Sequence, residues 1–197
     1  MGITDIRLYK KQLRSKYRQL RTSMTPQEKR QKDDRIFQQI ISSRYFQQAQ
    51  TIFCFVSTKI EIDTHRLIVY ALRHGKQVAV PKCLNDKGIM QFFYICSMQD
   101  LEIGKFSLLE PNPSICKKVS DYQNSICIVP GFSFDPHGFR LGYGKGYYDR
   151  FLSKYPFTKI GICYNNCVAP KLPHGRYDVP VNYLFTEKYI KKIQSPA

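Results

Sequence analysis

Short, unbroken runs of β-branched and aromatic residues, spaced by amphipathic helical stretches, leave this chain few folds to choose from. Thr51-Ile-Phe-Cys-Phe-Val56 is apolar throughout instead of alternating, as expected of a strand covered on both faces. Gln77-Val-Ala-Val80, ended by Pro81, and Ile126-Cys-Ile-Val129 have the same character. Ile89 to Ile95, Lys159 to Cys163 and Val181 to Phe185 read as further strands. Helical spacing joins Ile6, Tyr9, Leu13, Tyr17 and Leu20 over about residues 4–21. A second helix is announced by Thr25-Pro26-Gln27-Glu28: Thr25 caps, Pro26 takes the first position, and Glu28 closes a capping box. Ile36, Phe37, Ile40 and Ile41 supply its buried face. A third helix carries Leu67, Ile68, Ala71 and Leu72 after a cap at Asp63 or Thr64, and stops at Gly75. The segment from Asp100 to Tyr122 reads as irregular, and Thr186 as the cap of a last short helix. Strands alternating with helices predict an α/β fold with a largely parallel sheet. Ligands of such sheets collect at the C-terminal strand edge, which gathers Glu61, Pro130-Gly131 and the stretch after them.

That stretch, Gly138-Phe-Arg-Leu-Gly-Tyr-Gly-Lys-Gly-Tyr-Tyr-Asp-Arg-Phe151, concentrates the chemistry. Glycines free the backbone to turn its N–H groups onto an anion. Arg140 and Lys145 add positive charge, and Asp149 is placed to hold Mg²⁺. Tyr147 to Lys154 reads as a helix, so strand, glycine loop and helix follow in the order that suits phosphate. Neither the G-x-x-x-x-G-K-[ST] nor the G-x-G-x-x-G spacing is present. The bland readings stand beside these: a flexible surface loop, a helix-start acid at Asp149 or Glu61, a turn residue at Asp178, and a solvated helix face at Lys10 and Arg14.

Net charge is +16 in 197 residues, which makes nucleic acid an alternative partner. Half of the excess lies in residues 1–50, which hold twelve Lys/Arg against four Asp/Glu, and the rest is dispersed but for Lys188, Lys191 and Lys192. No RNA-recognition, zinc-finger or helix-turn-helix signature accompanies it, so a basic face attracting small anions explains it as well. Seven cysteines without C-x-x-C, with Cys54, Cys96, Cys127 and Cys163 in apolar runs, indicate a reduced, cytoplasmic protein. Histidines 65, 74, 137 and 174 do not cluster into a zinc site. No signal-peptide core or membrane span is legible.

Pro130-Gly-Phe-Ser-Phe-Asp-Pro-His-Gly-Phe-Arg-Leu-Gly-Tyr-Gly-Lys-Gly-Tyr-Tyr-Asp149 resembles the signature of the 5-formyltetrahydrofolate cyclo-ligases, also called methenyltetrahydrofolate synthetases. Lys10-Lys-Gln-Leu-Arg14, Phe55-Val-Ser57, Glu61-Ile-Asp-Thr64, Val80-Pro-Lys82, Glu110-Pro111 and Asp178-Val-Pro180 are similar to other family features. The resemblance implies a single domain over residues 1–197 with a three-layer, Rossmann-like fold and a largely parallel sheet. It implies a monomer that acts on small molecules, binding neither nucleic acid nor membrane. ATP and Mg²⁺ would serve to convert 5-formyltetrahydrofolate into 5,10-methenyltetrahydrofolate, ADP and phosphate. Lys10, Lys11, Gln12, Leu13 and Arg14, with Arg140, Leu141, Gly142, Tyr143, Gly144, Lys145, Gly146, Tyr147 and Tyr148, would contact ATP. Val56, Glu61 and Tyr143 to Tyr147 would hold the folate, Asp149 and Asp178 the metal, and Lys145 and Arg140 would act on the transferring phosphoryl. The chain departs from the pattern at Ser107, where glycine is usual, and at His174-Gly-Arg-Tyr177 before Asp178. An ATP-dependent enzyme acting on another amide or formyl group is the alternative.

Overall fold

The computed structural model describes residues 5–104 and 107–194. Helices α1 (Ile6–Thr22), α2 (Pro26–Ser42) and α3 (Arg44–Gln48) precede strand β1 (Thr51–Cys54). Then come α4 (His65–Arg73), β2 (Gln77–Cys83), β3 (Met90–Ile95) and a hairpin of β4 (Leu101–Ile103) and β5 (Leu109–Pro111). Strand β6 (Ser125–Val129) leads through a second hairpin, β7 (Ser133–Phe134) and β8 (Arg140–Leu141), to α5 (Tyr147–Leu152). Strands β9 (Thr158–Ile162), β10 (Tyr183–Phe185) and β11 (Ile190–Lys192) complete the chain. Residue 4, the expected start of the first helix, lies outside the described residues.

One sheet of seven strands has the order β11-β10-β9-β6-β1-β2-β3. Its five inner strands are parallel, and β3 and β11 run antiparallel at the edges. Burial on both faces explains the unbroken apolar runs: Ile52, Phe53 and Cys54 are buried, as are Ile126 to Val129. From β1 the chain crosses through α4 to β2, while from β6 it crosses through α5 to β9 in the opposite direction. Right-handed crossovers in opposite directions put α4 and α5 on opposite faces, giving three layers. Phe37 of α2 meets Tyr70 of α4 edge-on at 5.5 Å. On the other face Phe151 of α5 packs with Phe53, Phe92 and Phe157. The reversal falls between β1 and β6, where the connections leave for opposite faces, the position at which open α/β sheets form their ligand crevice. Among the described residues no helix is long and apolar enough to cross a membrane.

Several expectations change. Pro81 does not end β2; the strand runs to Cys83, because beyond the Phe53–Ala79 pair β3 is its only ladder partner and no neighbour needs a proline N–H on the other side. The segment expected to be irregular contains β4 and β5, and Val119 N–H bonds Phe92 O, extending the sheet past β3. Thr186 caps no helix: its Oγ1 accepts from Lys188 and Tyr189 N–H in the turn to β11. Glu28 pairs with Lys32 at 2.7 Å, so Thr25 alone caps α2. In α1, Ile6 and Tyr9 are exposed, and the stripe that packs on the core starts at Leu13. Cys96 is exposed just beyond β3.

Ser107 lies at φ 56°, a left-handed conformation that costs a non-glycine residue roughly 1 kcal/mol. Ser107→Gly should therefore raise the melting midpoint by about 2–4 °C, since a chain of this size shifts by that amount per kcal/mol. A lower midpoint in calorimetry would contradict the strain.

Candidate active site

The crevice at the strand reversal is lined from both sides. Beyond β1, Thr64 donates to Phe55 O at 2.6 Å and accepts from Ser57 N–H at 3.0 Å, folding the chain back so that Glu61 turns inward. Glu61 is buried; its Oε2 accepts from Thr58 N–H at 2.7 Å and Thr58 Oγ1 at 2.9 Å. Its Oε1 accepts from the Tyr143 hydroxyl at 2.5 Å. Burial, and then the neighbouring Glu61 carboxylate, raise the Tyr143 phenol far above its ordinary value, so it remains a neutral donor. Val56 is buried at the same strand exit.

Beyond β6 the β7–β8 hairpin intervenes before the glycines, so strand and loop are not directly joined. Buried Asp135 ties that hairpin by accepting from His137, Phe139 and Leu172 N–H. Gly144 and Gly146 then take φ of 97° and 71°. Gly146 opens α5 from a left-handed conformation that L side chains rarely adopt. At six residues α5 is too short for much of a macrodipole, so backbone N–H groups and side chains must carry any anion contact. Lys145 is exposed on this loop, and Tyr147 donates to Asn85 O at 2.6 Å, drawing the 84–89 turn against it.

Helix α1 crosses this edge of the sheet. Arg14 Nε donates to Gly142 O at 2.8 Å, and its guanidinium lies where a Cβ on Gly144 would be 3.1 Å away. Lys10, one turn earlier, pairs with Asp178 Oδ2 at 2.9 Å. Burial would raise Asp178, but the Gly175 N–H and Lys10 outweigh it and hold the carboxyl below its usual value. Val179 N–H donates to Asp149 Oδ1 at 3.0 Å, and Arg140 Nη2 lies 2.6 Å from the same oxygen. Arg140 Nη1 also donates to Val179 O at 3.0 Å. Two carboxylates and two cations thus meet beside the loop, drawn from three separate parts of the chain: α1, the 140–149 stretch and the turn at Asp178. Lys11 and Gln12 are exposed, and no contact from them to the loop is seen among the described residues. The Leu141 side chain is in the core.

A sequence profile of the 5-formyltetrahydrofolate cyclo-ligase family matches residues 7–187. The chain belongs to that family. A probable 5-formyltetrahydrofolate cyclo-ligase of Schizosaccharomyces pombe is 34% identical over 68% of this chain and 74% of its own length. One of Caenorhabditis elegans is 28% identical over 94% of this chain and 96% of its own. The NMR structure of Aquifex aeolicus 5,10-methenyltetrahydrofolate synthetase superposes with a TM-score of 0.83 at 28% identity, covering 95% of this chain and 94% of that one. The layered α/β architecture is therefore the family's, and this cyclo-ligase is an enzyme of folate one-carbon metabolism.

The deeply buried thiols are not candidates for nucleophilic work: burial pushes Cys54 and Cys127 up, and Cys163 to about 12. Arg21, outwardly one more cation of a basic helix, is buried at 4% exposure. It donates to Gly131 O and, at 3.1 Å, to Phe132 O, and its guanidinium lies 5.4 Å from the Phe132 ring. Its place four residues after Tyr17, on the Leu13–Tyr17–Leu20 stripe, was the signal in the sequence. Arg18, by contrast, is exposed. Losing hydrogen bonds from a buried charge costs about 1.5–3 kcal/mol, so Arg21→Met should lower the melting midpoint by roughly 3–12 °C. Arg18→Met should stay within about 1 °C of wild type, since surface changes rarely exceed a few tenths of a kcal/mol. Equal shifts would refute a special place for Arg21.

Proposed function

We propose that the enzyme uses ATP and Mg²⁺ to convert 5-formyltetrahydrofolate into 5,10-methenyltetrahydrofolate, ADP and phosphate, as a cytoplasmic monomer. The observation that carries this reading is the convergence of one helix on the site, Arg14 on the Gly142–Gly146 loop and Lys10 on Asp178, with Asp149 tied beside them. Lys10, Arg14, Lys145 and the backbone of residues 142–146 would receive the triphosphate, with Tyr147 and Tyr148 beside it. Lys11, Gln12 and Leu13 contribute less, because a helix that aims Lys10 and Arg14 at the loop turns Gln12 about 200° away.

The donor set suits magnesium. Asp149 Oδ2 and Asp178 Oδ1 accept no hydrogen bond among the described residues, and no cluster of three or more His, Cys, Asp or Glu gathers there. Two carboxylates completed by phosphates and water is a common magnesium arrangement, whereas zinc would require more protein ligands. When bound, the ion would neutralise charge on the transferring phosphoryl. Arg140 serves it indirectly, as a positioning residue that fixes Asp149.

Glu61 and Val56 would hold the folate ring, with Tyr143 to Tyr147 between the two substrates. The formyl oxygen attacks the γ-phosphorus, ADP leaves, and an imidate-like phosphate forms. N10 then adds to the formyl carbon, loses its proton, and phosphate departs with the formyl oxygen. Phosphoryl transfer mainly needs positioning and charge neutralisation, and no covalent nucleophile is required.

Absorbance of the methenyl product tests the reading: it should form only when ATP and Mg²⁺ are both present, and formation without either would reject it. Lys145→Met should lower kcat about tenfold or more, or about 1.4 kcal/mol of transition-state stabilisation, with a smaller change in ATP affinity. Asp178→Asn, which leaves the Arg140–Asp149 pair intact, should raise the Mg²⁺ requirement. Superimposable Mg²⁺ curves for wild type and Asp178→Asn would remove Asp178 from the metal site.

A further inference from the structure

Glu61 has one oxygen bound within its own turn and the other, Oε1, taken by Tyr143. A ring that presents N–H groups to this carboxylate must use Oε1, so Tyr143 occupies the place of the substrate's donor. Little else holds the tyrosine: it is 47% exposed and rests on Phe132 at 4.6 Å between ring centroids. Gly142 and Gly144 flank it; Arg14 bonds Gly142 O, and its guanidinium lies close beside Gly144. Arg14 forms no carboxylate ion pair among the described residues. Its guanidinium therefore has much to gain from a phosphate.

We propose that Tyr143 is a gate on Glu61, opened when nucleotide phosphates draw Arg14 off the glycine loop. The inference rests on the assignment of Glu61 to the folate ring. In the closed state Arg14 grips the Gly142 carbonyl just before Tyr143 and lies against Gly144 just after it, and the tyrosine hydroxyl satisfies the buried carboxylate. A phosphate reassigns the guanidinium donors, the chain turns about Gly142 and Gly144, and Oε1 becomes available to the ring. Nucleotide and folate then bind with positive coupling, which is reciprocal by necessity. Tyr143 also keeps water and unrelated donors from Glu61 until the phosphoryl donor is in place.

The test is calorimetric titration of 5-formyltetrahydrofolate with and without a non-hydrolysable ATP analogue and Mg²⁺, for wild type, Tyr143→Phe and Glu61→Ala. A net hydrogen bond of about 1 kcal/mol corresponds to about fivefold in affinity. The analogue should tighten folate binding to wild type about fivefold. Tyr143→Phe keeps the ring on Phe132 but frees Oε1, so it should bind folate about fivefold more tightly alone and gain little from the analogue. Unchanged or weakened binding in Tyr143→Phe, or a full nucleotide effect in that variant, overturns the gate while Glu61→Ala still loses folate affinity. If Glu61→Ala binds folate like wild type, the assignment of Glu61 fails and the gate falls with it.

Discussion

Three cations of one helix grip three separate segments. Arg21 binds the carbonyls of Gly131 and Phe132, Arg14 that of Gly142, and Lys10 the carboxylate of Asp178. The grips differ in strength. Arg21 is buried, and its neighbours Leu13, Tyr17 and Leu20 pack on the core, so that end of α1 anchors the helix. Lys10 and Asp178 are about a quarter exposed, and such pairs contribute roughly 1 kcal/mol or less. Because the Asp178 value is depressed, its tie contributes above the ordinary carboxylate range, about 3.9, and is lost as pH falls through the lowered value. One end of α1 is thus fixed, while Lys10 near the other end is held only by a part-exposed pair.

Beneath this helix the sheet reversal supplies the rigid floor. The exits of β1 and β6 flank the crevice, and each is tied by a buried side chain, Thr64 on one side and Asp135 on the other. Arg140 and Asp149 form the deepest ion pair of the site, with the Arg140 side chain 4% exposed. Removing either partner of such a pair leaves an uncompensated charge, so its function is better understood as placement than as net stability. The Tyr148 hydroxyl is buried nearby with no hydrogen bond among the described residues, and burial raises it well above the ordinary phenol value. Polar groups concentrate where the backbone turns away from the sheet.

The inner strands were legible because burial on two faces demands unbroken apolar runs, and the glycine loop because its residues allow few alternatives. What escaped depends on contacts distant in sequence. Pro81 reads as a strand end locally, yet its missing N–H is harmless once only β3 pairs there. The β7–β8 hairpin is two residues per strand, too short for any period, and hides inside the glycine signature. Arg21 looks like its exposed neighbours until α1 is laid on Phe132, 111 residues later in the chain. The Tyr143–Glu61 bond joins residues 82 apart, and no local pattern announces it.

The affinity for Mg-ATP in Lys10→Met/Arg14→Met, set against Arg7→Met/Lys16→Met on the exposed side of the same helix, tests most directly whether α1 forms a wall of the nucleotide site. Each double variant removes two positive charges, so a general attraction for anions is matched between them. Direct phosphate contacts are charge-assisted and strong, and their loss should raise the dissociation constant about tenfold or more, against less than about twofold in the control. Equal increases in the two proteins would mean that α1 supplies only a basic surface, and would contradict the site described for it.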